Sequence, residues 1–156
     1  MDSNKKEPKI LEDVKINVKI KLSALWVALV FFYLYNDVIS FFRGDIIEGV
    51  IAGELEGVQI SPSLLFAMAL MMAIPIVMVF LSLTLKAKVN RWVNIILGVF
   101  HAGVMLTTNL LVPGGTWAHY ALYMVFEALF IALIIGHAWK WPTQEGMPTK
   151  GKKLEM

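Results

Sequence analysis

Asp37, His101 and Glu127 lie deep inside long apolar stretches of this sequence, where an ionisable side chain is out of place. A charge at the centre of a bilayer costs about 2.5–3.5 kcal/mol on insertion scales, so each of the three is a candidate functional group. An imidazole beside a carboxyl group can exchange a proton, or hold a cationic or hydrogen-bonding ligand. Desolvation favours a neutral pair and mutual attraction favours an ion pair, and the residue types leave both open. The bland alternative is that His101 and Glu127 satisfy each other and simply hold two helices together.

Spacing groups these residues with others. Asn94, Gly98, His101, Met105 and Thr108 or Asn109 recur in steps of three and four, which is one face of a helix. Thr116, Tyr120, Tyr123 and Glu127 do the same further on, and Trp26, Tyr33 and Asp37 form a similar row near the start. The connection Pro113-Gly114-Gly115-Thr116 reads as a tight turn, making the last two apolar stretches an antiparallel hairpin. His101 and Glu127 then fall at equal depth, about 15 Å from the turn at 1.5 Å per residue. The expected site for a ligand or proton is therefore Asp37, His101, Asn109, Tyr120, Tyr123 and Glu127, with Tyr33 on its wall. Asp37 also has a plainer reading as a carboxylate hydrated from the surface. A metal would need a third ligand, and His119 and His137 lie about 12 and 15 Å along the helix from Glu127, so no metal is expected.

These stripes need helices to carry them. The chain is 58% hydrophobic and 17% charged, far from a soluble domain, so a membrane class follows. Four stretches, Leu22–Phe42, Ser63–Leu85, Trp92–Val112 and Trp117–Trp141, have the length of about 20 residues that a bilayer demands. The fold class expected is all-α, an integral membrane four-helix bundle over residues 14–142, with short loops and disordered cytoplasmic tails at 1–13 and 143–156. Of the 14 Lys and Arg, all but Arg43 fall on one side of this arrangement, which puts both termini in the cytoplasm by the positive-inside rule. Trp92, Trp117, Trp139 and Trp141 stand at span ends, as interfacial belts do.

Between the first two spans, Ile46, Ile47, Val50 and Ile51 have one-face helical spacing between Gly44 and Gly53, predicting a short amphipathic helix on the outer interface or capping the bundle. Val14 to Lys21 alternates apolar and polar residues, the period of a strand. With no partner strand, it is expected to lie along the cytoplasmic interface and run into the first span. Pro75 predicts a kink in the second span. Ala128, Ala132 and Gly136 form a small-residue face, for packing within the chain or for a homo-oligomer.

The chain resembles a family of small prokaryotic membrane proteins known only as a domain of unknown function. The resemblance is carried by Lys15-Ile16-Asn17-Val18-Lys19-Ile20-Lys21-Leu22-Ser23-Ala24-Leu25-Trp26, by Tyr33, Tyr35 and Asp37, by Ala73-Ile74-Pro75, by Val89-Asn90-Arg91-Trp92 with Asn94-Ile95, and by Trp139-Lys140-Trp141-Pro142. It covers roughly residues 12–142 and implies four spans, with no activity to carry over.

The absence of cysteine excludes disulfides, thiolate metal sites and dithiol redox chemistry. No phosphate-binding loop or nucleophile elbow occurs, and no cofactor or nucleic acid is expected. The leading expectation is a prokaryotic inner-membrane protein that binds a small molecule, lipid or proton in an intramembrane polar pocket. The alternatives are a small isomerase or oxidoreductase acting on a lipophilic substrate, with Glu127 and His101 as acid and base, and an accessory subunit whose polar core only fixes packing.

Overall fold

The computed structural model describes residues 14–55, 57–111 and 117–142, with the side chains of 109–111 outside that description. The two predicted tails, the turn at Pro113–Thr116 and the side chain of Asn109 therefore lie outside the described residues. Five helices occur in chain order: α1 (Val18–Ser40), α2 (Gly44–Ala52), α3 (Pro62–Thr84), α4 (Ala87–Leu111) and α5 (Ala118–Trp139). A two-stranded antiparallel hairpin, β1 (Glu54–Leu55) and β2 (Val58–Gln59), follows α2.

Local chemistry sets the helix ends. Asn17 caps α1 by accepting the Lys19 amide at 2.9 Å. That cap turns Val18 to Lys21 into the first helical turn, because the strand-like alternation there has no partner strand to pair with. Ser61 caps α3 through its hydroxyl at 3.2 Å from the Leu64 amide, with Pro62 pre-set at the first position. Gly53, at φ 82°, ends α2 in the left-handed region that glycine tolerates. α3 runs unbroken through Pro75.

Helices α1, α3, α4 and α5 are each long and apolar enough to cross a membrane. Only 11% of the α3 span is buried inside the chain, so most of its apolar surface needs lipid rather than protein as its neighbour. α1 packs between α3 and α5, α5 between α1 and α4, and α3 meets α4 little. Leu22, Trp26, Leu29, Met78, Ile95, Ile131, Ile134 and Ala138 form the core where the four converge.

At one end, the Lys19 ammonium donates to the carbonyls of Leu83 (3.2 Å) and Leu85 (2.7 Å), capping the negative end of the α3 dipole. This end also carries the Lys86–Arg91 segment, and it is called the basic end below. α1 and α4 start there and run parallel, while α3 and α5 return to it.

Close approach of α4 and α5 occurs at Gly98, where an added Cβ would sit 2.7 Å from Ile135 Cγ1. Gly98→Leu is expected to lower unfolding free energy by about 1–3 kcal/mol through forced separation of the helices. Thermal unfolding in detergent micelles checks this, and a melting temperature unchanged from wild type would contradict the packing. The Ala128, Ala132 and Gly136 face is not this contact. Ala128 and Ala132 are exposed, and an added Cβ on Gly136 would meet nothing within 4 Å.

Candidate functional site

The centre of the bundle holds two joined groups of polar side chains. The first is a network of Trp26, Ser82, Asn90 and Asn94, all fully buried. The Trp26 indole N–H donates to Asn94 Oδ1 at 2.7 Å, and the Ser82 hydroxyl reaches the same oxygen at 3.4 Å. Asn94 Nδ2 donates to the Asn90 carbonyl (2.9 Å) and to Asn90 Oδ1 (2.7 Å), and Asn90 Nδ2 donates to the Ser82 carbonyl at 2.6 Å. Every side-chain nitrogen and oxygen of the four has a partner, so the network is dry and tolerates burial. Asn90 belongs to α4 because that helix begins at Ala87, five residues before the span boundary expected at Trp92. The i, i+4 spacing of Asn90 and Asn94 was the available signal.

The second group sits next to the first. His101 is 2% exposed, and its Nδ1 lies 3.3 Å from the Tyr33 hydroxyl. Its ring meets Trp26 edge-on at 5.7 Å and lies over Tyr33 at 5.9 Å. The residue separation is 68 for both Trp26–Asn94 and Tyr33–His101, so α1 and α4 stay in one parallel register through both groups. The Glu127 carboxyl on α5 is a further polar group in electrostatic reach of the Tyr33 hydroxyl. Among the described residues, His101 and Glu127 form no ion pair, because the only one is Arg43 with Asp45.

Among the described residues His101 and Glu127 make no direct hydrogen bond, and Tyr33 lies next to His101 and within electrostatic reach of Glu127. The reason is directional. Side chains on an α-helix lean toward its N-terminus, and α4 and α5 are antiparallel, so His101 leans toward the basic end while Glu127 leans away from it. The Tyr33 phenol, entering from α1, meets the His101 ring. His101 Nε2 remains buried with no hydrogen-bond partner.

The remaining candidates are elsewhere. Asp37 is exposed and makes no side-chain hydrogen bond with a described residue. Tyr123 packs edge-on against Phe32 at 5.5 Å, in an aromatic cluster with Phe126 and Phe130 that joins α1 to α5. Tyr120 belongs to the end opposite the basic one. Its hydroxyl lies 2.8 Å from the Ser40 hydroxyl and accepts from Arg43 Nη1 at 2.9 Å. Arg43, the lone cation of that end, also stacks over Trp117 at 4.9 Å and pairs with Asp45 through its Nε and Nη2. The Arg43 guanidinium holds the exposed Asp45 carboxyl below the usual carboxylate range, and Asp45 in turn raises Arg43. Asp45 therefore protonates at a lower pH than a free carboxylate, and the link weakens as pH falls toward that lower point.

Two shallow grooves lie on the surface. One of about 250 Å³ is lined by Val27, Val30, Phe31, Ile76 and Val79, and one of about 440 Å³ by Val99, Phe100, Gly103, Val104, Thr107 and Thr108. Neither includes Tyr33, His101 or Glu127.

Four membrane-length helices around a buried polar centre make this a multi-pass helical membrane protein. It belongs to the family of unknown function DUF6326, which matches residues 9–147. No curated protein and no solved structure matches the chain.

Proposed function

We propose that this protein takes up a proton, or a small polar ligand that donates or accepts a hydrogen bond, at an intramembrane site made by His101, Tyr33 and Glu127. The observation that carries the reading is the orphaned His101 Nε2, buried in the bundle while Nδ1 engages Tyr33. A buried polar atom without a partner costs about 1–3 kcal/mol, and a proton acceptor or a bound ligand at that nitrogen would offset it. Tyr33 can pass a proton between imidazole and carboxyl because its hydroxyl is both donor and acceptor. α3 contributes no titratable side chain, so exchange is confined to α1, α4 and α5. The basic end faces the cytoplasm of a prokaryotic cell in this reading, by the positive-inside rule.

A second reading is favoured by the two grooves, which leave the three residues untouched: the polar centre fixes helix packing in an accessory subunit. The two readings separate in one experiment. Protein labelled with ¹⁵N-histidine is placed in lipid nanodiscs, and the signals absent from His101→Gln are followed between about pH 4 and 9. The proton-uptake reading expects those signals to move with pH, and Glu127→Gln to change the proton affinity of the ring by about tenfold or more. An imidazole whose signals stay fixed across the range, and do not respond to added polar solutes, would leave only the packing reading.

A further inference from the structure

The basic end is unbalanced. Among the described residues it carries Lys15, Lys19, Lys21, Lys86, Lys88, Arg91 and Lys140, whereas the described carboxylates Asp37, Asp45, Glu48, Glu54 and Glu127 all lie in the middle of the bundle or toward the other end. Lys19 is engaged with the α3 carbonyls, but Arg91 makes no such hydrogen bond with a described residue. Its guanidinium stands 5.9 Å from the Trp92 ring and 5.8 Å from the Trp139 ring, linking the start of α4 to the end of α5. Its Nε is buried without a hydrogen-bond acceptor.

A planar cation braced by two indoles and lacking an acceptor is suited to an oxyanion that it can grip with two parallel N–H groups. Trp92 and Trp139 are half-exposed or more, at the level where tryptophan marks the boundary between headgroups and acyl chains. Lys88 lies three residues before Arg91 on the same face of α4, and Lys140 follows Trp139. We propose that Arg91, held between Trp92 and Trp139, anchors a site for the phosphate headgroup of an anionic phospholipid, with Lys88 and Lys140 adding charge at its rim. The exposed apolar flanks of α4 and α5 then receive the acyl chains, which a free phosphate would not use. This site is separate from the His101 centre and does not depend on it.

Native mass spectrometry of the full chain, released from micelles holding equal amounts of phosphatidylglycerol and phosphatidylcholine, tests the assignment. The wild type should retain phosphatidylglycerol preferentially, and Arg91→Gln should reduce that preference about fivefold or more. Arg91→Lys keeps the charge but not the planar fork, and should fall between the two. If Arg91→Gln does not fold, as judged by its helical circular dichroism, the Lys88→Gln/Lys140→Gln pair carries the test, because both side chains are exposed and a loss of preference is still expected. Arg91→Gln, or failing it the lysine pair, binding phosphatidylglycerol as the wild type does would overturn the site. Displacement of the lipid by glycerol 3-phosphate at equal concentration would also overturn it, by showing that the headgroup alone is the ligand.

Discussion

Asn94→Ala is expected to lower unfolding free energy by about 2–4 kcal/mol, the largest loss from any single polar residue of the bundle. Single interhelical hydrogen bonds in membranes average about 0.6 kcal/mol, too little by themselves to make a residue critical. Asn94 differs because it joins three helices: it accepts from Trp26 on α1 and Ser82 on α3 while donating twice to Asn90. Truncation would orphan the Trp26 indole N–H and Asn90 Oδ1, both in sites that no water reaches, and would leave a void among fully buried neighbours. Unfolding in mixed micelles followed by tryptophan fluorescence measures the loss. Trp26→Phe removes the matching donor, so in a double-mutant cycle the two changes should be non-additive by about 0.5–2 kcal/mol. Additive losses would mean that the two side chains do not act through their hydrogen bond. Helical content should survive in every variant, because each span satisfies its own backbone in lipid.

That network shows where the sequence was readable. Length and apolarity revealed the four spans, and Ile46, Ile47, Val50 and Ile51 revealed α2, because a bilayer and its interface impose patterns that need no tertiary information. The start of α4 was hidden for a physical reason. Lys88, Asn90 and Arg91 look like a cytoplasmic loop, but a helix can extend beyond the hydrocarbon while its long basic side chains reach water. Such a stretch gives no sign that Asn90 is fully buried between helices. The β1–β2 hairpin escaped as well, its signal being one glycine, Gly57, at φ 81° between Leu55 and Val58. Helical spacing put Trp26 and Tyr33 on one row of α1, and the structure places both against α4. What spacing could not supply was the lean of side chains on antiparallel helices, which carries His101 and Glu127 in opposite directions along the bundle.

Tyr33→Phe isolates that communication. The substitution keeps the aromatic ring that lies over the His101 ring at 26° and removes only the hydroxyl 3.3 Å from Nδ1. Stability should change by no more than about 1–1.5 kcal/mol, the net worth of one hydrogen bond. The effect on exchange should be much larger, because the phenol lies 3.3 Å from the imidazole and within electrostatic reach of the carboxyl. In wild-type protein, Glu127→Gln should alter the His101 ¹⁵N titration by about tenfold in proton affinity, and in the Tyr33→Phe background that response should shrink to about twofold or less. A purely structural centre gives the reverse pattern: Tyr33→Phe and Glu127→Gln would each lower the melting temperature while leaving the titration of His101 alone. A response to Glu127→Gln that persists at full size without the phenol would instead mean that the carboxyl reaches the imidazole without passing through Tyr33. The bridge would then be wrong, even though the site would remain.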